Sequence, residues 1–257
     1  MEKEISRAII EGYAAKLLAS LDIDLAVAGG GPSGLLCAYY LAKAGKNVAI
    51  FERKLAPGGG VWGGAMLFNE VVIQQEAARF LDELGIGYRR LDERMVRVDS
   101  VELASCLIYR AVHAGAKLFN GVSVEDVVFK HDRVCGVVIN YTPILLADLH
   151  VDPLSVEARA VLDGSGHGAE LTAKAARKAG IRLNTPTGDL MGEKPMWAEV
   201  GEKTTVENTR EVYPGLYVSG MAANAVYGTA RMGPIFGGML LSGKKAADVI
   251  LADLERR

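Results

Sequence analysis

The feature that most constrains the fold is a glycine turn, Gly29-x-Gly31-x-x-Gly34, placed between an apolar strand and a helix. A second apolar strand follows the helix and ends at Glu52. Strand, helix and strand in this order form a βαβ unit, whose two strands lie parallel and buried. Because strands and helices go on alternating further along the chain, the sequence predicts an α/β protein with a doubly wound sheet.

The same turn predicts a dinucleotide site. Gly29 permits the tight turn, Gly31 lets the backbone approach a pyrophosphate, and Gly34 lets the helix pack closely on the strand. The N-terminus of the helix then presents N–H groups and a favourable dipole to the phosphates. Glu52 lies 18 residues after Gly34, where a carboxylate can bind ribose hydroxyls. This favours NAD or FAD over NADP, and the alternative is a tight turn that binds nothing.

Length and composition limit the class of protein. We expect one domain over residues 1–257, with an inserted β-hairpin region at about 117–145 that turns at His131-Asp132, and a long, irregular excursion at about 184–211. A net charge of −2 argues against a nucleic-acid partner. No apolar run approaches the roughly 20 residues of a membrane span. The 3 cysteines have unrelated spacings, which favours a reducing, cytoplasmic location over a disulfide framework or a zinc site.

The region near the C-terminus bears on which dinucleotide is bound. A short strand at 216–219 is followed by Gly220 and Met221. This resembles a late flavoprotein motif in which the strand ends in Gly-Asp. Methionine at the position of the aspartate argues against a bound flavin and leaves room for an adenine dinucleotide that is used in another way.

Two further loops carry candidate ligands. Asp152 and His167 lie 15 residues apart in loops before and after a short strand predicted at 160–163. A carboxylate and an imidazole suit a divalent metal such as Fe(II), Mn(II) or Zn(II), and two protein ligands leave positions open for a substrate. The alternative is two ordinary loop residues. Arg231 lies in a glycine-flanked loop, where its guanidinium could bind a carboxylate through two hydrogen bonds.

Several segments together resemble the thiamine thiazole synthase family, in matching order over nearly the whole chain. These segments are 29–40, 50–54, 57–64, 150–153, 215–221 and 231–239. The last is specific, because a dinucleotide fold as such does not need Arg-Met-Gly-Pro-x-Phe-Gly-Gly-Met. The resemblance implies a glutathione-reductase-type FAD/NAD(P)-binding fold in which NAD is a substrate. Family members of the transferase type release nicotinamide from NAD, condense the rest with glycine and add sulfur, which gives an adenylated thiazole carboxylate.

The resemblance also implies roles for particular residues. Asp152 and His167 would bind iron, and Arg231 would hold the glycine carboxylate. His150 would belong to the catalytic set with Asp152 and His167, and its role stays open between substrate contact, proton transfer and space-filling. The family assembles as an octamer with sites completed across subunits, so the loop at 150–152 would serve a neighbouring chain. The expected dinucleotide-binding residues are Gly29, Gly31, Ser33, Gly34, Glu52, Arg53, Gly60, Val124 and Met221.

His150 marks a departure from the eukaryotic pattern, where a cysteine at this position gives up its own sulfur and the enzyme works once. Imidazole cannot donate sulfur, so the sequence resembles the archaeal-type branch, which uses free sulfide with Fe(II) and turns over repeatedly. Two alternatives stay open. One is a flavin-dependent oxidoreductase of the same fold, and the other is a protein that binds NAD without consuming it.

Overall fold

A computed structural model describes residues 1–64 and 66–256. Its helices, in chain order, are α1 (Glu2–Leu18), α2 (Pro32–Lys43), α3 (Ala78–Leu84), α4 (Ser100–His113), α5 (Thr142–Leu146), α6 (Glu170–Ala179), α7 (Ala198–Asn208), α8 (Met221–Tyr227) and α9 (Gly237–Arg256). Short 3-10 helices cover Gly59–Gly63 and Gln75–Ala77. None of the described helices has the length and apolarity that crossing a bilayer requires.

The strands form one large sheet and two small ones. In chain order they are β1 (Asp22–Ala28), β2 (Val48–Glu52), β3 (Glu70–Gln74), β4 (Arg89–Arg90), β5 (Met95–Asp99), β6 (Lys117–Asn120), β7 (Val122–Lys130), β8 (Arg133–Tyr141), β9 (Leu154–Asp163), β10 (Lys194–Met196), β11 (Arg210–Tyr213), β12 (Leu216–Val218) and β13 (Ala230–Arg231). The small sheets are β3-β5-β4 and β10-β13.

The large sheet has the order β11-β12-β9-β1-β2-β6. Its members from β12 to β6 run parallel, and β11 is antiparallel to β12. Two strands pair with the same edge of β9. The first half of β9 pairs antiparallel with β8, and its second half pairs parallel with β12. Strand β9 is therefore the element that joins the hairpin β7–β8 to the dinucleotide-binding part of the sheet.

Two apolar cores cover the two faces of this sheet. Along β1, Leu25 and Val27 belong to one core, which α2, α4 and α9 complete, whereas Ala26 and Ala28 belong to the other. All five residues of β2 are buried. Burial on both faces explains why these strands are continuous apolar runs rather than alternating ones. The predicted doubly wound α/β fold is confirmed.

The predicted hairpin is present, with its turn where the sequence placed it. His131 and Asp132 both adopt positive φ, 51° and 54°, which is the conformation of a two-residue hairpin turn. The inserted region is shorter than the expected 117–145, however. Strand β6 at its start continues the large sheet beside β2, so the hairpin itself begins at Val122.

The region at 184–211 is not the irregular excursion that we expected, since Ala198–Asn208 forms α7. The buried face of α7 consists of Gly201, Glu202 and Thr205, which give no apolar periodicity along the sequence. Tertiary bonds support the helix instead. The Asn224 side-chain amide donates to the Gly201 carbonyl at 2.9 Å and to the Thr205 hydroxyl at 2.8 Å.

Helix α1 packs on the rest of the described chain through only a few side chains: Leu17 lies against the core that contains Ala26, and the Tyr13 ring meets the Phe119 ring edge-on. None of its residues is buried, and Ile9 and Ile10 are 65% and 66% exposed. Exposed leucines on α5 and in the following loop, together with Tyr141 at the end of β8, extend this apolar surface. A contiguous apolar surface of this kind is typical of protein–protein contact.

Candidate functional site

The three glycines of the turn have different surroundings. A Cβ atom on Gly29 would lie 2.6 Å from the Gly164 carbonyl oxygen, and one on Gly34 would lie 2.5 Å from the Gly29 carbonyl oxygen. Both glycines are thus required by contacts within the protein. A Cβ on Gly31 would have no described heavy atom within 4 Å. The open side of Gly31 is where a pyrophosphate could approach the backbone.

The N-terminus of α2 can bind an anion, because no described side chain caps it and the N–H groups that follow Pro32 in the first turn have no partner within the helix. The Ser33 side chain is buried, and its hydroxyl accepts a hydrogen bond from the Ser219 hydroxyl at 3.2 Å. Ser33 therefore directs its hydroxyl into the protein and offers a ligand its backbone N–H group.

Glu52 braces the glycine turn from the end of β2. Its Oε2 accepts from the Gly30 N–H at 2.8 Å, and its Oε1 accepts from the Lys54 N–H at 2.8 Å. Each carboxylate oxygen keeps a lone pair for a further donor, such as a ribose hydroxyl. The next residue, Arg53, is half exposed and forms an ion pair with Glu170, with Nη1 and Oε1 3.0 Å apart.

The second glycine-rich segment, 57–64, lies directly against the turn. The Gly58 N–H donates to the Gly30 carbonyl at 2.7 Å, and a Cβ on Gly59 would lie 3.2 Å from the Gly31 Cα. A Cβ on Gly60 would meet no described atom within 4 Å. Gly31 and Gly60 are therefore two open positions on neighbouring backbone segments, as a cleft for a dinucleotide requires.

The other two predicted dinucleotide contacts lie on different elements. Val124 is half-buried on β7. Met221 is buried at the start of α8, just beyond the carboxyl end of β12. No described hydrogen bond links either residue to the glycine turn.

The predicted metal ligands are at opposite ends of β9. Asp152 precedes the strand and His167 follows it, and the strand has 10 residues, which corresponds to about 30 Å. Among residues 1–64 and 66–256, no group of three or more His, Cys, Asp and Glu side chains could hold a metal ion. Asp152 and His167 of one chain therefore do not lie together, and their binding of one ion stays a prediction that requires the loop at 150–152 to serve a neighbouring chain.

His167 has a carboxylate partner that the sequence did not suggest. Its Nδ1 lies 2.8 Å from Glu193 Oε1 and 3.1 Å from Glu193 Oε2. The loop that carries His167 is fixed by Asp163, which is fully buried and accepts from the N–H and hydroxyl groups of Ser165 and of Thr172. This buried carboxylate ties the end of β9 to the first turn of α6.

Arg231 lies on β13, beside β10, which follows Glu193 directly. Arg231 is opposite Met196 in the strand pair, and its carbonyl accepts from the Trp197 N–H at 3.1 Å. Its side chain is exposed, and no described acidic group pairs with it. The strand pair β10–β13 thus links two predicted site residues. Arg231 lies on β13, and His167 contacts Glu193, which directly precedes β10.

The loop with His150 and Asp152 is exposed at the other end of β9. Asp152 borders a groove of about 260 Å³, which otherwise has mainly apolar walls from α1, β8 and α5. The Tyr13 and Tyr141 hydroxyls meet across this groove at 3.1 Å. Burial, together with that hydrogen bond, raises the pKa of Tyr13 to about 12. Asp152 therefore stands at the edge of the exposed apolar surface described above.

A buried carboxyl group lies on α7, next to Gly201, which packs closely against the backbone of Arg231. Glu202 on α7 accepts from the Gly238 N–H at 2.6 Å and from the Gln74 side-chain amide. Its Oε1 is buried, with no partner among the described residues. Desolvation by burial raises the pKa of Glu202 to about 7. Glu202 thereby fixes the first turn of α9, which follows the Arg231 loop.

The Thi4 family profile matches residues 6–236. The chain belongs to the Thi4 family. It is 54% identical over 252 residues to the thiamine thiazole synthase of Methanothermobacter thermautotrophicus, with 98% of each chain covered. It is 56% identical over 253 residues to that of Thermococcus kodakarensis, again with 98% of each covered. A crystal structure of Thermovibrio ammonificans THI4 superposes with a TM-score of 0.97, at 54% identity and with 99% of both chains covered. The resemblance stated from the sequence is confirmed.

Within this member of the Thi4 family, sequence reasoning missed Glu193 and Glu202. Glu193 lies between a glycine and a lysine in a polar stretch, and nothing in the sequence ties it to His167, 26 residues earlier. Glu202 lies on a helix that lacks apolar periodicity. Recognition of α7 as a helix would have placed Glu202 on the same face as Gly201 and Thr205, and thus inside the protein.

Proposed function

We propose that this protein is a thiamine thiazole synthase, an enzyme of thiamine biosynthesis. It would convert NAD, glycine and free sulfide into an ADP-thiazole carboxylate and release nicotinamide in a transferase-type reaction in the cytoplasm. The observation that carries the proposal is the likeness to named thiamine thiazole synthases, which extends over 98% of the chain and so includes every part of the candidate site.

The dinucleotide would lie in the cleft between the glycine turn and the segment 57–64. The free N–H groups of α2 would bind the pyrophosphate, and Gly31 and Gly60 would let it approach the backbone. Glu52 would accept from ribose hydroxyls, and the backbone of Val124 and Met221 would complete the site. Arg53 would exchange Glu170 for the substrate, because a half-exposed ion pair is only weakly stabilising.

Glycine would bind through its carboxylate to Arg231. A guanidinium group with no described acidic partner can offer two parallel N–H donors to a carboxylate. Since Arg231 lies on β13 and Glu193 directly precedes the neighbouring strand β10, the amino group of that glycine would face His167. This arrangement suits a condensation between the amine and a carbonyl group of the opened ribose.

Asp152 and His167 fit a divalent iron site in their chemistry, since an imidazole and a carboxylate leave several positions open. Their places at the two ends of β9 require that Asp152 come from a second copy of this chain. The apolar surface of α1, α5 and the adjoining loop would make that contact within a homo-octamer. When bound, Fe(II) would supply Lewis-acid chemistry and a place for sulfide.

His150 stands where a sulfur-donating cysteine would otherwise lie. An imidazole has no sulfur to give, so sulfide from solution would supply the sulfur and the chain would stay intact. Repeated turnover follows from this, because no residue of the protein is consumed.

The test is anaerobic incubation of the protein with NAD, glycine, sulfide and Fe(II), followed by mass spectrometry. We expect nicotinamide and an adenylated thiazole in amounts well above one per chain. A flavin absorption band in the purified protein would favour the oxidoreductase instead. NAD binding without nicotinamide release would favour a non-catalytic protein.

Mixing two inactive variants tests the shared site. Asp152→Ala and His167→Ala should each abolish metal-dependent turnover. After subunit exchange at equal amounts, about a quarter of the sites would combine an intact Asp152 with an intact His167 from another chain. Recovery of about that fraction of activity is expected. No recovery in oligomers shown to be mixed would contradict the shared site.

A further inference from the structure

The contact between His167 and Glu193 has the geometry of a charge-assisted hydrogen bond. Both carboxylate oxygens approach Nδ1, at 2.8 and 3.1 Å. No described residue bonds to the other ring nitrogen, Nε2. A neutral imidazole that donates Nδ1–H to a carboxylate carries its lone pair on Nε2, so Nε2 is then available as a ligand.

Glu193 is the fixed member of this pair. The Gly192 N–H donates to the Ala225 carbonyl at 2.9 Å, and the Lys194 N–H donates to the Thr229 carbonyl at 3.0 Å. These bonds anchor the backbone on both sides of Glu193 to α8 and the following turn. The Glu193 side chain is 17% exposed, whereas that of His167 is 52% exposed. Because the Glu193 backbone is anchored and its side chain is mostly buried, Glu193 fixes the orientation of the exposed His167 ring.

We infer that Glu193 is a positioning residue: it holds His167 in the Nδ1–H tautomer and directs Nε2 out of the protein toward a metal ion. The inference rests on the proposed function, in which His167 is a metal ligand. Carboxylates that accept from the second nitrogen of a ligating histidine orient the ring and raise its basicity.

The first measurement is the tautomer of His167 in the metal-free protein. Magic-angle-spinning 15N NMR on histidine-labelled protein at pH 8 distinguishes the two neutral forms, and the His167→Ala variant assigns the signal. We expect the Nδ1–H form in the wild type. Glu193→Ala should shift the signal to the Nε2–H form, whereas Glu193→Gln should keep part of the Nδ1–H form because its amide oxygen still accepts.

The second measurement is the affinity for Co(II) alone, followed by visible absorption and calorimetry on the assembled protein. Loss of such a carboxylate weakens metal binding by roughly 10- to 100-fold, and we expect that loss in Glu193→Ala and a smaller one in Glu193→Gln. The control is Glu157→Gln, which removes an exposed carboxylate on β9 that forms an ion pair with Lys130 on β7. This control should leave both the tautomer and the affinity unchanged.

The two readouts separate the inference from the proposed function. An unchanged His167 tautomer in Glu193→Ala, or Co(II) affinity within twofold of the wild type, would overturn the positioning role. A wild-type protein that binds no Co(II) would refute the proposed iron site and, with it, the role of Glu193 toward a metal. The tautomer measurement would in that case still establish or refute the orientation of the ring.

Discussion

Replacement of Glu202 by glutamine should change the pH dependence of stability. Burial raises the pKa of Glu202 from 4.5 to about 7 in the folded protein. Between these values the folded state binds a proton that the unfolded state has lost, so the free energy of unfolding falls as pH rises. The stabilisation is complete below pH 4.5 and is lost once the pH has passed about 7.

The size of the effect follows from the shift. Each pKa unit corresponds to about 1.4 kcal/mol, so the wild-type protein should lose about 3 kcal/mol between pH 4 and pH 8 through this one group. Glutamine has the shape of the protonated acid and does not titrate. Its amide can also donate to one of the buried acceptors nearby that have no described partner, such as Gln74 Oε1.

The assay is urea denaturation of both proteins at several pH values from 4.5 to 8.5. The two curves should nearly coincide at the acid end, and Glu202→Gln should be more stable by about 3 kcal/mol at the alkaline end. Glu157→Gln is the matched control, because its carboxylate is exposed and paired with Lys130. It should show no growing difference above pH 5, since the lysine lowers the pKa of Glu157.

The reasoning fails if wild type and Glu202→Gln differ by a constant amount over the whole range. A constant difference would mean that Glu202 has the same, ordinary pKa in the folded and unfolded states. A difference that grows in the opposite direction would mean that Glu202 is stabilised as an anion by its bond to the N-terminus of α9. Either result would remove the explanation of its burial as a neutral acid.

Three other substitutions follow from contacts. Gly34→Ala should destabilise the protein by about 1–3 kcal/mol, measured by urea unfolding, because its Cβ would lie 2.5 Å from the Gly29 carbonyl oxygen. Gly31→Ala meets no described atom within 4 Å, so it should keep full stability and weaken NAD binding in calorimetry; unchanged affinity would contradict the proposed cleft. Asp163→Asn places an amide among four donors and should cost about 1–3 kcal/mol, with a lower thermal midpoint.

The sequence predicted the elements whose signals are local. The glycine turn, the buried strand that ends at Glu52 and the hairpin turn at His131 each follow from the conformations or burial that short segments require. Helix α7 could not be predicted in this way, because polar and small residues form its buried face and tertiary bonds hold it. Because α7 was not predicted, the burial of Glu202 on that helix was not predicted either. No rule of sequence spacing connects Glu193 with His167.

Strand β9 is longer than predicted, and this difference changes the interpretation of the functional site. The strand expected at 160–163 extends back to Leu154, because its first half alternates buried and exposed residues and pairs with β8. With a short strand, Asp152 and His167 appear as neighbours in one site. With 10 residues between the two loops, they belong to two different surfaces. One surface contains Glu193, His167 and Arg231, and the other is an apolar surface with Asp152 at its edge. The proposal that Asp152 and His167 bind one ion therefore requires two copies of the chain to meet.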